Sequence, residues 1–374
     1  MKTIKDIPHL KGVRVLLRLD LNVPIQNSKI VDDFRIRKSE ETLAYLRDKG
    51  ARTVIVAHIE GKGEKTLRPV ANYIGKTYPV KFVENFKNAF KEAESLDDGE
   101  FILLENIREN EGEKKNDKGF AKELATLGDV YINDAFSVSH RAHASVSAVT
   151  EFLPSYAGFV FQNEVEQLRR SFNPPRPFVF ILGGAKFDTK LPLIEKFMEL
   201  ADRVFVGGAL ANDFFKEKGM EVGTSVTSEG DFNLKRFFDN PKLMLPIDIE
   251  NQNHEFKDVS AVTKEDKMLD VGPKTMVMLK QAVDASKFVL WNGPLGFYEG
   301  GYKQPTLELA RMIADANAAG ETEAAVGGGD TLGAIAELGI EHKFTFVSTG
   351  GGAMLDFLAN ETLPGLEALE RGMQ

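Results

Sequence analysis

The chain has 374 residues, 43% hydrophobic and 28% charged, with a formal net charge of −9. That length predicts about two domains, each able to bury its own core, and the acidic balance argues against non-specific nucleic-acid binding. With no cysteine, disulfides and thiolate metal sites are excluded. The start, M-K-T-I-K-D-I-P-H-L, lacks an apolar signal core, and no apolar run of about 18 residues follows, so a cytoplasmic protein without membrane contact is expected.

Short apolar runs at Val13–Leu19, Thr53–Ile59, Val80–Val83, Phe101–Leu104 and Asp129–Ile132 read as strands. Ser39 to Lys49 reads as a helix, with Ser39 as N-cap and Gly50 just past its end. Strands alternating with helices predict an α/β, largely parallel, doubly wound sheet.

In such sheets, ligands bind at the carboxyl ends of the strands, and there this sequence turns polar. Asp20 and Asn22 follow the first strand, His58 closes the second, and Arg108 follows the fourth. Arg141 follows the fifth, between His140 and His143, and Arg35 lies in the linker D-D-F-R-I-R. A single arginine is usually a solvated surface charge. Arg35, Arg108 and Arg141 together with His58 instead predict one anion site, because guanidinium forks match carboxylate and phosphate. His140 and His143 have no visible third ligand, so a structural role is expected there.

Ala157 to Phe172 places Phe161, Val165, Leu168 and Phe172 on one helical face, and Asn173 to Pro177 stops it. This helix is read as the connector between two domains.

In the second half glycine replaces arginine at the strand ends. Phe178 to Lys190 reads F-V-F-I-L-G-G-A-K-F-D-T-K: a buried strand, the turn Gly183-Gly184, then Lys186 and Lys190 around a helix start. Asp188 or Thr189 would cap that helix, with Pro192 in its first turn. The combination suits phosphate, although an ordinary βα turn with surface lysines has the same letters. It is not a Walker A loop, since no G-x-x-x-x-G-K-[ST] occurs. Val204–Val206 leads to Gly207-Gly208, Phe288–Trp291 to N-G-P, Ala324–Val326 to G-G-G-D-T, and Phe344–Val347 to S-T-G-G-G. Backbone amides at such turns suit a nucleotide. Asp330 is placed to hold a phosphate-bound Mg²⁺, or to cap a helix. Gly327 to Gly333 has the spacing G-x-G-x-x-x-G, which departs from the dinucleotide fingerprint and weakens a dehydrogenase reading.

Seven blocks then stand together: R-L-D-L-N-V-P, L-L-E-N-I-R, N-D-A-F-S-V-S-H-R-A-H, G-G-A-K-F-D-T-K, L-W-N-G-P-L-G-F-Y-E, G-G-G-D-T and S-T-G-G-G-A. In this order, and over nearly the whole chain, they resemble phosphoglycerate kinase. The resemblance implies two Rossmann-like domains whose parallel sheets face each other across a cleft, joined by a long helix. Residues 1–156, with about 355–374 packed back on them, would bind phosphoglycerate; 157–173 would form the connecting helix; 174–354 would bind nucleotide. It implies reversible Mg²⁺-dependent transfer of the acyl phosphate of 1,3-bisphosphoglycerate to ADP, giving 3-phosphoglycerate and ATP, by a monomer. By the same resemblance Asp20, Asn22, Arg35, His58, Arg108 and Arg141 hold the phosphoglycerate. Gly184, Lys190, Asn292, Glu299, Gly328, Gly329, Asp330 and Thr331 hold the nucleotide, with Glu299 at the ribose and Asp330 at the Mg²⁺. Arg35 and Lys186, with the amides of Gly351 and Gly352, would stabilise the phosphoryl group in transit.

The chemistry agrees with the residues. A carboxylate acceptor is already ionised at neutral pH, so no nucleophile–base pair is needed. Positioning and charge neutralisation remain, and domain closure would exclude water. Three departures stand out. In A-H-I-E-G-K-G, Gly61 stands where the family usually has arginine, with Lys62 as a substitute charge and a shortened loop. Met268 replaces a glycine near the adenine, and Pro305 is read as a turn variation. The loss at Gly61 motivates a second reading, a binding or structural protein with weakened transfer.

Overall fold

The computed structural model describes residues 1–61 and 63–372. The chain divides into two compact units, Met1–Glu166 with the C-terminal residues from Asn360, and Gln167–Ala359.

The first unit is built on six parallel strands: β1 Arg14–Leu19, β2 Arg52–Val56, β3 Val80–Val83, β4 Phe101–Leu104, β5 Val130–Asp134 and β6 Ser155–Ala157. Their order is β3-β4-β2-β1-β5-β6. Every residue of β4 is buried, as is β1 from Val15 to Leu19, the pattern of strands covered on both faces. The chain winds outward on one side of β1 and returns to β5 on the other. The carboxyl ends of β1 and β5 therefore open on a switch point.

The second unit repeats the plan with β7 Phe178–Leu182, β8 Arg203–Val206, β9 Leu243–Met244, β13 Phe288–Asn292, β14 Glu323–Gly327 and β15 Phe346–Val347. The order is β9-β8-β7-β13-β14-β15, all parallel, with the switch point between β7 and β13. Between β9 and β13 the chain adds a three-stranded antiparallel sheet: β10 Asp248–Asn251, β11 Phe256–Asp258 and β12 Met268–Val271.

The connector helix covers Phe159–Arg169 and ends in a 3₁₀ turn, Arg170–Phe172. The division between units falls inside it, after Glu166. Its first half belongs to the first unit for visible reasons. Phe161 packs edge-on against Phe136 with ring centres 5.8 Å apart, and the Phe161 amide donates to Asp134 at 3.1 Å. At the other end of the chain, the helix Pro364–Arg371 buries Leu366 and Leu369, and the Gly365 amide donates to the Ser139 carbonyl at 2.8 Å.

Several local expectations are corrected. β2 stops at Val56, which leaves His58 and Ile59 in the loop. Ser39 does not cap by its hydroxyl, because the helix Phe34–Lys38 runs directly into Glu40–Asp48; its Oγ donates to the Arg35 carbonyl at 3.2 Å. The helix Phe187–Leu200 starts at Lys186 without a side-chain cap, so neither Asp188 nor Thr189 plays that part. Thr189 instead donates to the Lys186 carbonyl at 3.1 Å. Pro192 lies within that helix and not in its first turn, where it removes the N–H that would have met the Asp188 carbonyl. Pro305, read as a turn variation, sits in the first turn of the helix Gln304–Ala318, where a missing N–H costs little.

Candidate active site

The candidate anion site of the first unit begins with a charge inside β1. Arg18 is fully buried between the apolar residues Leu17 and Leu19, and a buried guanidinium must be paired and hydrogen-bonded. Its Nε donates to Ser145 Oγ at 2.9 Å, and its Nη2 faces His58 Nδ1 at 3.3 Å. Ser145 Oγ in turn donates to the buried carboxylate of Glu113 at 2.6 Å, and its amide reaches the same carboxylate at 2.9 Å. Burial, with the fields of Arg18, Arg108, Arg35 and Arg141, holds the His58 imidazole far below its usual range, so it stays neutral. Burial also pushes His143 down to about 4, with Arg108, Arg18, Arg141 and Lys114 helping, beside Glu113 at 3.8 Å. Among the described residues, no group of three His, Cys, Asp or Glu could hold a metal.

The strand-end side chains converge on this core. Asp20 accepts from Arg35, from Ser137 Oγ and from the Asn22 amide. Asn22 Oδ1 accepts from the Glu60 amide at 2.9 Å. Asn106 ties the same loop down, donating to the Ile59 and Lys65 carbonyls at 2.9 and 3.2 Å, and its Oδ1 accepts from the Arg108 amide at 3.2 Å. The Arg108 side chain is only 4% exposed and pairs with Glu60 through Nη1. Its Nε and Nη2 are buried without a partner, and burial lowers its pKa. Arg141 Nη1 and Lys114 Nζ each stand 3.8 Å from the Glu60 carboxylate.

All six expected phosphoglycerate residues thus belong to one cluster. Arg18, Glu60, Glu113 and Lys114 were not anticipated. A lone arginine within V-L-L-R-L signalled the first; Glu60 stood in plain view beside Gly61. Gly61 itself has φ +121° with open space around its Cα. Lys62, expected to supply the missing charge, lies outside the described residues.

In the second unit two glycine turns cross at the switch point. The Gly183 amide donates to the Asn292 carbonyl at 2.9 Å and the Gly184 amide to the Pro294 carbonyl at 3.1 Å. A Cβ on Gly183 would lie 2.0 Å from the Pro294 oxygen, so the crossing requires glycine. Trp291 Nε1 donates to the Gly293 carbonyl at 2.8 Å, and Thr331 Oγ1 accepts from the Gly293 amide at 2.9 Å. Lys190 lies buried beneath, its Nζ donating to the Gly183 carbonyl. Burial pushes its pKa down to about 8, partly offset by Asp330. Asp330, in the first turn of the helix Gly329–Leu338, is raised by burial and by Glu299.

Beside the crossing lies a cavity of about 400 Å³ within the second unit. Gly184, Glu299 and Asp330 line it, with Met268, Leu269, Phe215, Val226 and Leu295 among its apolar walls. Asn292, Lys190 and Thr331 are buried and do not line it; Asn292 Nδ2 points at Met354 Sδ, 3.7 Å away. Met268 packs with Phe215, Ile249, Val259 and Val262 and forms part of the apolar wall. Lys186 is an exposed N-cap residue at the start of the helix Phe187–Leu200. Gly351, at φ +48°, precedes the helix Gly352–Asn360. Lys186, Gly351 and Gly352 belong to the second unit and Arg35 to the first.

The family profile described as phosphoglycerate kinase matches residues 4–361. The chain belongs to the phosphoglycerate kinase family. The phosphoglycerate kinase of Dictyoglomus turgidum is 39% identical over 394 aligned positions, which cover 99% of each chain. The solved phosphoglycerate kinase of Coxiella burnetii superposes with a TM-score of 0.83 at 32% identity, covering 99% of this chain and 98% of that one. That of Pyrococcus horikoshii gives 0.86 at 28% identity, covering 100% and 99%. Phosphoglycerate kinases work on a nucleotide together with Mg²⁺. The donor set here fits that ion, because Mg²⁺ is usually held by one or two carboxylates plus substrate phosphates, and Asp330 offers one carboxylate at the cavity rim. No helix among the described residues is long and apolar enough to cross a membrane.

Proposed function

We infer that the chain catalyses reversible phosphoryl transfer between the acyl phosphate of 1,3-bisphosphoglycerate and ADP, yielding 3-phosphoglycerate and ATP. The observation that carries this reading is the division of labour between the two switch points. One presents buried arginines, and the other presents the N-terminus of the helix Gly329–Leu338, with Asp330 lining a nucleoside-sized cavity and Lys190 buried close by. The first unit would bind the phosphoglycerate through Asp20, Asn22, Arg35, His58, Arg108 and Arg141. A neutral His58 donates and accepts hydrogen bonds without adding charge, which leaves anion recognition to the arginines. The second unit would bind the nucleotide through Gly184, Lys190, Glu299 and Gly328 to Thr331, with Asn292 supporting the loop from behind.

In the ATP-forming direction a β-phosphate oxygen of ADP bonds to the acyl phosphorus, and the bond from that phosphorus to the carboxyl oxygen breaks. The leaving group is a carboxylate, so no proton need be moved. Mg²⁺, held by Asp330 and the phosphates, would neutralise charge on the nucleotide. Lys190 and the first-turn amides of the helix Gly329–Leu338 orient the phosphates, and Arg35 and Lys186, with the Gly351 and Gly352 amides, offset charge on the phosphoryl group in transit. The test is ATP consumption by purified protein with 3-phosphoglycerate and Mg²⁺, coupled to reductive removal of the product, with Lys186→Ala alongside. Turnover that requires both substrates and collapses in the variant supports the reading. Nucleotide binding without turnover would instead favour the weakened binding-protein reading.

A further inference from the structure

Resting on the reading that the arginine cluster of the first unit takes phosphoglycerate, we propose that Glu60 is an internal competitor for that anion. Its carboxylate sits on Arg108 and must swing aside for the substrate's acidic group to dock. Three cations meet this one carboxylate: Arg108 in direct contact, and Arg141 and Lys114 at 3.8 Å. The contact is incomplete from the arginine's side. Glu60 engages Nη1 alone, while Nε and Nη2 remain buried without a partner. A planar fork with five donors is better satisfied by a bidentate phosphate or carboxylate, so a substrate oxyanion outbids a single glutamate oxygen.

The loop is built to let the side chain move while its backbone stays. Asn22 holds the Glu60 amide, and Asn106 holds Ile59 at both its amide and its carbonyl. The Glu60 side chain itself is 49% exposed, and the next residue, Gly61, has open space around its Cα. Among the described residues, only Arg108 and the more distant Arg141 and Lys114 meet the carboxylate. Binding therefore exchanges one anion for another, which raises the substrate concentration needed to fill the site and leaves the chemical step untouched.

The experiment compares wild type with Glu60→Gln, which keeps the shape and removes the charge. KM for 3-phosphoglycerate and for ATP are measured across ionic strength, with calorimetric titration of 3-phosphoglycerate into each protein. The expected result is a KM and Kd for 3-phosphoglycerate about three- to fivefold lower in the variant, the factor a partly exposed ion pair carries. The KM for ATP stays the same, and the gain shrinks as salt screens the site. A thermal unfolding midpoint within about a degree of wild type confirms an intact fold. An unchanged or raised KM for 3-phosphoglycerate in folded variant, with wild type active, overturns the proposal alone. Wild type showing neither turnover nor binding heat overturns the functional reading, and this inference with it.

Discussion

Asp270 is the residue whose titration should be most visible in stability. It lies on β12 directly opposite Glu250 of β10, and like charges facing each other across a ladder are unfavourable. The residue is 4% exposed. Its Oδ1 accepts from the Val271 amide at 2.8 Å, whereas Oδ2 is buried without a partner. Burial pushes its pKa up to about 8, with Glu250 adding to the rise. The folded value therefore exceeds the unfolded one. The stability contribution is fully present below about pH 4 and is lost as pH rises towards 8. The slope is about 1.4 kcal/mol per pH unit, so the loss between pH 5 and 8 is about 3 kcal/mol after partial relaxation around the ionised group. Asp270→Asn keeps the acceptor for Val271 and cannot ionise. Urea unfolding followed by the single tryptophan, Trp291, reports this unit. At pH 5 the two proteins should be of similar stability, and at pH 8 the variant should be the more stable by about that amount. Parallel stability curves for the two proteins from pH 5 to 8 would refute the reasoning.

Lys190, with its pKa near 8, must be charged to meet a phosphate, so ADP binding above pH 8 should require proton uptake. Affinity should fall by up to about tenfold per pH unit there, and calorimetry in buffers of different ionisation enthalpy would detect the proton; Lys190→Met should bind weakly with a flat profile. Gly183→Ala should weaken nucleotide binding at least tenfold and destabilise the second unit by about 2–4 kcal/mol, because its Cβ meets the Pro294 oxygen at 2.0 Å. The helical Gly333→Ala, whose Cβ meets only Tyr298 at 3.9 Å, should instead gain about 0.5–1 kcal/mol by thermal unfolding. Asp134 accepts from Thr42 Oγ1 at 2.6 Å and from the Phe161 amide at 3.1 Å. Its replacement by alanine should cost the first unit about 2–3 kcal/mol, read by circular dichroism; a smaller loss than about 0.5 kcal/mol would contradict that role.

The strands that build the two switch points were legible because each is an uninterrupted apolar run ending in polar residues or glycine. Val80–Val83 and Phe101–Leu104 match the observed bounds residue for residue. β6, S-Y-A, is an edge strand too short to show a pattern. β10 and β11, D-I-E-N and F-K-D, are polar strands stabilised by their ladder and by Asp266, and not by an apolar run. Ser39 failed as a cap because the helix before it supplies the preceding turn, which no local signal reveals. The site residues were visible as types at strand ends. Their internal partners were not, since the pairing of Arg108 with Glu60 and the chain from Glu113 through Ser145 to Arg18 link positions far apart in sequence. The sequence drew attention to Gly61, whereas the structure draws it to Glu60, whose carboxylate meets Arg108.

The central claim is that one phosphoryl group moves between a nucleotide and a phosphoglycerate carboxylate. Incubating the protein with ATP radiolabelled at the γ-phosphate, 3-phosphoglycerate and Mg²⁺, then chelating the metal and comparing product left in buffer with product treated with hydroxylamine, tests it most directly. The account predicts transfer of label to a hydroxylamine-labile acyl phosphate that needs all three components and disappears in Lys186→Ala. Label found only as inorganic phosphate before hydroxylamine is added, or unaffected by omitting 3-phosphoglycerate, would contradict it.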